Sequence, residues 1–371
     1  MFLGAAREAL KQKLPDLDAA LVSSSLADLE SPGGSGPKLF KEADGPGLLV
    51  PRELGGRGAD ALMAVRIQLA IGSRSPSLAI ATTMHHFSVA GLLEANRAGE
   101  KFAWLLLQAI AEQRLLVASG FAEGVSGQSV VRPTLQATRS GGAYLLSGAK
   151  RPCSLSRSMD ILTASTMIDG ELAVAIVPAD SPGLSREPFW NAPVLLGAES
   201  DAVILRDVPV DDRMLVKVGP PGAAAVDDLQ QAGFLWFELL ITASYLGICG
   251  GLVEQVLEGN RADPGKAVSL VCPLDAAMAG IEGLAMQLAA DGPSEELLLR
   301  ALFCRYAAQD AIKRVAADSV ELLGGIAFIR GDKYIRYFAD AARCLVFHPP
   351  SRERALGPLI DAMAGAPLRI E

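Results

Sequence analysis

The chain has 371 residues, of which 50% are hydrophobic and 20% are charged, so it is long enough for more than one domain and too apolar to be intrinsically disordered. The formal net charge is −8 and no stretch is rich in Lys and Arg, which argues against nucleic acid and an anionic membrane surface as partners. Aromatic residues make up only 5%, which favours closely packed helices over an aromatic-rich sandwich.

The five cysteines are scattered and lack CxxC spacing, which argues against a disulfide framework and a zinc site, so we expect reduced, buried thiols. The first residues form an amphipathic pattern that differs from a signal peptide. The most apolar run, residues 239–253, is shorter than the ~20 residues that cross a bilayer, and it is predicted as a buried helix. We therefore expect a cytoplasmic protein without membrane contact.

In chain order, three stretches differ in the period of their apolar residues. Residues 1–114 have helical spacing, as in ALMAVRIQLAIG, and are predicted as an N-terminal helical domain. Residues 115–216 consist of short runs bounded by turn residues, with hairpin turns predicted at 140–142 and 169–170, and they form a predicted β domain. Residues 217–371 return to helical spacing. The expected fold class is mainly α with a small β sheet or barrel in the middle.

Few side chains in the sequence could carry chemistry alone. The element order gives no βαβ unit for a GxGxxG dinucleotide site, and the three histidines form no HExxH or Cys/His cluster, so no metal site is expected. An organic cofactor is therefore the working hypothesis. Three Gly-containing segments are candidates for its site, although a strand exit, a surface turn and a helix C-cap would also explain them: residues 120–129, 148–154 and 322–328.

Five short motifs occur in an order known from one family. Residues 49–58, LVPRELGGRG, are similar to GVPEEYGGLG, and residues 121–130, FAEGVSGQSV, are similar to the flavin loop TEPGAGSDV. GAK at 148–150 matches the GxK before a Trp-x-Thr pair. RADPG at 261–265 and VELLGG at 320–325 are similar to RxxFG and VQxLGG, which contact flavin across a dimer. Over nearly its whole length the chain thus resembles the acyl-CoA dehydrogenase superfamily of flavoproteins.

The resemblance implies an N-terminal helical domain, a middle β domain and a C-terminal four-helix bundle, with FAD at the interface of a homodimer or homotetramer. In that family, flavin N5 accepts hydride from the β-carbon of an acyl thioester, carried by CoA or an acyl carrier protein, while a glutamate removes the α-proton. An electron-transfer partner or O2 is also implied. The motifs place these residues at the flavin: Phe121, Ala122, Gly127, Gln128, Ser129, Cys153, Ser154, Arg261, Glu321, Gly324 and Gly325.

The catalytic base is the point at which the sequence departs from the family. Pro349 stands where the usual glutamate is expected. A minority of members take the base from the first helix of the C-terminal bundle, at a position that aligns with Phe237. The adjacent Glu238 is the candidate base if the helix register differs, and otherwise it is an ion-paired residue at a helix interface.

The histidines suggest a second kind of chemistry. His348 lies in the run HPPSR, which resembles the HDPxR segment near the flavin in the hydroxylating branch of the superfamily. There the histidine assists the reaction of reduced flavin with O2, and an imidazole can move a proton near neutral pH. The alternative is a histidine that ends a helix before two prolines. His85, His86 and Phe237 are candidates for the substrate pocket, or else a loop histidine pair and a core residue.

Three functions remain open from the sequence. The first hypothesis is an FAD-dependent dehydrogenase that desaturates an acyl thioester, with Glu238 as base. The second is a flavin monooxygenase of the same fold that uses reduced flavin and O2, with His348 near the flavin. The third is a flavin-free subunit that binds an acyl group or a partner, because the residues at several flavin positions differ from the family's motifs.

Overall fold

The computed structural model describes residues 2–100, 102–125, 133–219, 224–258, 264–330 and 333–369. The first part of the chain is helical, as its apolar spacing predicts. Ser75 caps the longest of these helices by accepting the N–H of Leu78, and Pro76 occupies its first turn. The helices are α1 (Gly4–Lys13), α2 (Pro15–Ser23), α3 (Leu26–Leu29), α4 (Gly36–Glu42), α5 (Ala61–Gly72), α6 (Pro76–Arg97) and α7 (Ala103–Gln113).

The middle of the chain forms one mixed sheet. Its described strands are β1 (Val117–Gly120), β2 (Gln136–Ser140), β3 (Ala143–Cys153), β4 (Ile161–Ile168), β5 (Glu171–Pro178), β6 (Leu184–Glu187), β7 (Asp201–Asp211) and β8 (Leu215–Gly219). The strand order is β6-β7-β3-β2-β4-β5-β8, and β1 pairs with β4 in parallel. Both predicted hairpin turns are present, since Ser140 pairs with Ala143 and Ile168 pairs with Glu171.

Long helices follow the sheet. They are α8 (Ala224–Glu258), α9 (Pro264–Asp291), α10 (Glu295–Ile329), α11 (Lys333–Ala342) and α12 (Arg352–Met363), with a 3-10 helix at Arg343–Phe347. The helix α8 is central, because it packs against α5, α6, α9, α10 and α11. The apolar run predicted as a buried helix lies inside α8, and its residues are buried.

Two helices are long and apolar enough to cross a membrane by length and composition: Leu229–Glu258, within α8, and α9. In α8, 89% of the most apolar window is buried inside the structure, as in the core helix of a soluble protein, which passes the same test. In α9 the buried share is 28%.

The observed fold class is the expected one, mainly α with a middle β sheet and C-terminal helices. The domain limits at residues 114 and 216 stay a prediction, and the strand β8 extends past the second limit to Gly219. The expectation of buried thiols is correct for Cys153, Cys249 and Cys344. Cys304 is only partly buried, and Cys272 on α9 is exposed, so the expectation is wrong for Cys272.

Candidate functional site

A cavity of about 450 Å³ lies where the three parts of the chain meet. Its wall is formed by α6, by the inner face of the sheet, by α8 and by the segment around residues 344–349. Apolar side chains dominate the lining, including Met84, Leu92, Val174 and Ile176. A volume in the range of about 300–1,000 Å³ with a few polar groups is typical of small-molecule and cofactor sites.

One side of the cavity is a row of rings. The ring centroids of Phe121 and Phe87 are 5.4 Å apart, and those of Phe87 and Phe237 are 5.7 Å apart, both with edge-to-face geometry. The row continues from Phe237 to His348 at 6.1 Å and from His348 to Tyr245 at 5.4 Å. Such a row presents apolar ring edges and faces, with a polar end at His348 and Tyr245.

His348 is the polar group at the end of this row. Its Nε2 lies 2.8 Å from Tyr245 Oη, and Nδ1 has no hydrogen-bond partner in the part of the chain that the structure describes. Burial and the nearby Arg305 guanidinium lower the pKa of His348 to about 3. The imidazole is therefore neutral at pH 7, with one ring nitrogen held by Tyr245 and the other available to a bound molecule.

Glu238 lies behind the cavity wall. It is fully buried, and both carboxylate oxygens accept from Arg305 Nη1, at 2.7 and 2.9 Å. Burial raises the pKa of Glu238, and the charge of Arg305 opposes this shift. The neighbouring Phe237 lines the cavity instead, because adjacent side chains on a helix point about 100° apart. The structure thus places the candidate base in an ion pair between α8 and α10, away from the cavity wall.

The sheet side of the cavity carries hydroxyl groups. Ser154 Oγ and Ser200 Oγ are 3.0 Å apart, and Ser88 Oγ and Thr163 Oγ1 are 3.2 Å apart, so each pair bridges two elements of the wall. Ser119 lines the same side. These groups add small donors and acceptors to the apolar lining.

A buried ion pair between Lys150 and Glu123 lies at the sheet side of the cavity. Lys150 Nζ lies 2.6 Å from Glu123 Oε1 and 3.0 Å from Ser165 Oγ. The Glu123 carboxylate also accepts the N–H groups of Thr134 and Leu135. Burial alone would raise the pKa of Glu123, but the hydrogen bonds from Lys150 and Thr134 lower it to about 2. Glu123 is therefore a fully engaged carboxylate at neutral pH and anchors the loop before residue 125.

The cavity fits a flavin in size and in the chemistry of its lining. A flavin has a largely apolar ring system with polar edges, and the lining offers aromatic and aliphatic side chains together with hydroxyl groups. Gly91 lies on the wall, and a Cβ added there would meet no atom within 4 Å, so the wall is open at that point. Three of the predicted flavin residues line the cavity: Phe121, Ala122 and Ser154. These are the residues that would hold the ring system.

Other predicted flavin residues are placed differently. Cys153 is fully buried and does not line the cavity, and burial raises its pKa to about 12. Glu321, Gly324 and Gly325 lie on α10 away from the cavity, where the resemblance implies contact with a second subunit. Four predicted residues lie outside the described part of the chain: Gly127, Gln128, Ser129 and Arg261.

The predicted pocket histidines of α6 are not on the cavity wall. His85 Nε2 is 3.0 Å from Pro46 O, and its Nδ1 accepts the N–H of Val117 at 3.0 Å, so both nitrogens serve the main chain. His86 is fully buried against Phe40. Helical rotation explains the difference, because the next residue of α6, Phe87, does line the cavity. Among the described residues no cluster of three His, Cys, Asp or Glu side chains could hold a metal ion.

Two residues of the site have no motif in the sequence. Tyr245 and Arg305 support His348 from α8 and α10, although they lie 103 and 43 residues away from it in the chain. The only local signal is spacing, because Tyr245 follows Glu238 by seven residues and therefore lies on the same face of α8. That spacing is also typical of ordinary core positions.

No family model matches the chain. It is similar to isobutylamine N-hydroxylase from Streptomyces viridifaciens, with 40% identity over 376 residues that cover 99% of each chain. It is 24% identical to the putative acyl-CoA dehydrogenase YdbM from Bacillus subtilis, over 56% of this chain and 54% of that protein. Among solved structures, FMN-bound TdsC from Paenibacillus sp. A11-2 has a TM-score of 0.80 at 18% identity, covering 100% and 98% of the two chains.

Proposed function

Since the chain belongs to the acyl-CoA dehydrogenase superfamily of flavoproteins, we propose that it is a flavin-dependent monooxygenase that N-hydroxylates a small apolar amine. The observation that carries this proposal is the 40% identity to an isobutylamine N-hydroxylase over nearly the full length of both chains. His348 on the cavity wall supports it, because the hydroxylating branch has a histidine in the corresponding segment.

The proposed reaction converts a primary amine, O2 and reduced flavin into a hydroxylamine, water and oxidised flavin. One oxygen atom is inserted into an N–H bond of the amine and the other leaves as water, and the two electrons and two protons that this requires would come from the reduced flavin. His348 is neutral at pH 7, so its role in this scheme is to form a hydrogen bond through Nδ1 next to the aromatic row. Tyr245 keeps the ring oriented through Nε2.

The lining favours the uncharged form of an amine. An ammonium group loses hydration in an apolar cavity, and this lowers its pKa unless a carboxylate compensates. The carboxylate in the described lining is Glu123, which Lys150 and Thr134 already engage. A neutral amine has the lone pair that attack on an oxygen atom requires, so the same desolvation that selects the free amine also prepares it to react.

Dehydrogenation of an acyl thioester is less well supported by the site. Removal of an α-proton needs a carboxylate base on the cavity wall. Glu238 is paired with Arg305 behind the wall, and hydrogen bonds hold the pKa of Glu123 at about 2. Such a low pKa makes a carboxylate a weak base. The comparison with an N-hydroxylase favours the same conclusion over oxidation of a CH–CH bond.

The remaining features of the holoenzyme are part of the proposal. A flavin is the expected cofactor, and FAD, as the family resemblance implies, competes with FMN, which TdsC binds. Reduced flavin and O2 are the expected co-substrates. A homodimer or homotetramer is proposed from the family resemblance, and a cytoplasmic location is proposed from the scattered cysteines without CxxC spacing. In the purified protein, the identity and amount of bound flavin test the cofactor. The mass of the particle in solution tests the oligomeric state.

The test of the proposed function is a single-turnover experiment. The protein is mixed without oxygen with chemically reduced FMN or FAD and isobutylamine, then exposed to O2, and the product is identified by mass spectrometry. We expect N-hydroxyisobutylamine from the wild-type chain, and hydrogen peroxide in place of most of this product from His348→Ala. Bleaching of oxidised flavin by an acyl-CoA without oxygen, together with no hydroxylamine, would instead establish a dehydrogenase.

A further inference from the structure

Behind His348 lies a buried ion pair that does not line the cavity. Arg305 and Glu238 have side chains with no exposed area, and they join α10 to α8 across 67 residues of the chain. A buried ion pair rarely adds net stability, because both charges lose their hydration. The other contacts of Arg305, and not a net gain in stability, therefore indicate what this pair does.

The Arg305 guanidinium also binds the main chain that carries His348. Its Nη2 donates to His348 O, and its Nη1 donates to Pro349 O at 3.0 Å. The next residue of α10, Tyr306, donates its hydroxyl to Pro350 O at 3.1 Å. Three consecutive carbonyls are thus held by side chains of one helix.

The main-chain N–H groups of residues 348–350 do not fix this segment in the same way. The N–H of His348 reaches Leu345 O at 3.4 Å, and Pro349 and Pro350 have no N–H to donate. Buried carbonyls without partners are costly, so donors from another element must satisfy them. The planar guanidinium can do so while it also contacts Glu238, because its five N–H groups point in fixed directions.

We infer that Arg305 and Glu238 are positioning residues that fix the main chain of His348 on the cavity wall. Tyr245 fixes the ring from the same face of α8, two helical turns after Glu238. Glu238 orients the guanidinium and balances its charge beside the imidazole. Neither Arg305 nor Glu238 lines the cavity, so both act through His348. This inference rests on the proposed function, in which the His348 imidazole forms a hydrogen bond at the reacting groups.

Imidazole NMR tests the inference without flavin or substrate. The chain has three histidines, so protein labelled with 15N-histidine gives a simple spectrum, and His348→Ala identifies the His348 signals. Arg305→Lys keeps the charge and removes the fork that reaches the carbonyls. We expect the His348 signals to shift and broaden in this variant, while those of His85 and His86 stay at their wild-type positions.

A matched control separates positioning from a general loss of an ion pair. Arg66 of α5 contacts Glu282 of α9 through two hydrogen bonds, at 3.0 and 2.9 Å, and has no contact with the His348 segment among the described residues. Arg66→Lys should leave the His348 signals unchanged. An equal change in Arg66→Lys and Arg305→Lys would overturn the inference.

Kinetics give a second readout. In Arg305→Lys we expect kcat for amine hydroxylation to fall by about 100-fold with KM within about twofold, because displacement of a reacting group affects the chemical step more than binding. If Arg305→Lys does not fold, Glu238→Gln takes its place, with the same expected shift of the His348 signals. Unchanged His348 signals in the folded variant refute the positioning role. A wild-type chain that hydroxylates no amine refutes the proposed function, and the NMR comparison still decides the positioning role.

Discussion

Two adjacent histidines of α6 differ in whether their ring nitrogens have hydrogen-bond partners. His85 uses both ring nitrogens, with Pro46 O and the N–H of Val117 as partners. His86 is equally buried, but neither ring nitrogen has a hydrogen-bond partner among the described residues, and its neighbours include the rings of Phe40 and His85. An unpaired buried polar group costs about 1–3 kcal/mol, so the two positions should respond oppositely to an apolar side chain.

We expect His86→Met to raise the free energy of unfolding by about 1 kcal/mol, because it removes unpaired polar atoms at similar volume. His85→Met should lower it by about 1–3 kcal/mol, because Pro46 O and the N–H of Val117 both lose their partner. Urea unfolding of both variants at pH 7 measures the difference. Equal effects of the two substitutions would contradict this account of α6.

The Tyr245 hydroxyl gives a prediction for the site itself. Tyr245→Phe removes the 2.8 Å hydrogen bond to His348 Nε2 and keeps the ring that packs beside it. We expect kcat to fall by about fivefold with KM for the amine nearly unchanged, since one hydrogen bond contributes about 1 kcal/mol to the orientation of His348. Steady-state kinetics measure the effect. Tyr144→Phe, at a buried position of β3, is the control.

The helix α10 contains a break, and a diglycine marks this position in the sequence. Gly324 has φ 82° and ψ 160° inside the helix, and helical geometry resumes up to Ile329. The sequence offered a C-cap as one interpretation of this diglycine, and the structure shows a break between two helical parts. The φ/ψ region of Gly324 is open almost only to glycine.

The neighbouring glycines should therefore differ in tolerance. Gly324→Ala should destabilise the protein by about 1–3 kcal/mol, because Ala is strained at this positive φ. Gly325→Ala should stabilise it by about 0.5–1 kcal/mol, because its added Cβ meets no atom within 4 Å and Ala has the higher helix propensity. Thermal unfolding of both variants measures this. If Gly325→Ala destabilises the protein and Gly324→Ala does not, the assignment of the helix break to Gly324 is refuted.

The sequence predicted those elements whose signals are local. The two hairpins were found because turn residues separate alternating strands, as at Asp169 and Gly170, which both have positive φ. The sequence does not predict the strand β6, LSRE, because it is short and has little apolar alternation. The strand β8 begins directly after a polar turn, so the predicted boundary fell inside it.

The site was predictable only where a motif or a resemblance marks it. Phe121, Ala122, Ser154 and His348 were named from segments similar to flavoprotein motifs, and all line the cavity. Arg305 lies in the middle of a long helix, where nothing in the sequence separates it from a solvated charge. Its role depends on the packing of α8 against α10 and on a loop 40 residues later, which local sequence does not encode.

Contacts between distant parts of the chain join the helices to the sheet around which the cavity is built. Lys41 of α4 pairs with Asp160 of the sheet region at 2.6 Å. Tyr337 of α11 accepts the N–H of Leu195 at 2.8 Å and donates to Glu30 of the N-terminal part. These contacts join the N-terminal helices and α11 to the sheet region and its loops.

All three histidines are held neutral in the folded chain. Burial lowers the pKa of His85 to about 4 and that of His348 to about 3, and it lowers the pKa of His86 well below 6.5. The unfolded chain takes up these protons near pH 6.5. The stability that the neutral forms contribute is therefore fully present above about pH 6.5 and is lost as the pH falls toward 4.

This linkage can be measured as a difference between two proteins. Each histidine that binds a proton only on unfolding adds about 1.4 kcal/mol per pH unit to the pH dependence of stability below about pH 6. His86→Met removes one such group, so its free energy of unfolding should fall less steeply between pH 6 and 5, by about that amount. The shared carboxylates cancel in the comparison, because both proteins contain them. Urea unfolding at several pH values gives the two slopes, and equal slopes would mean that His86 already carries a proton in the folded chain.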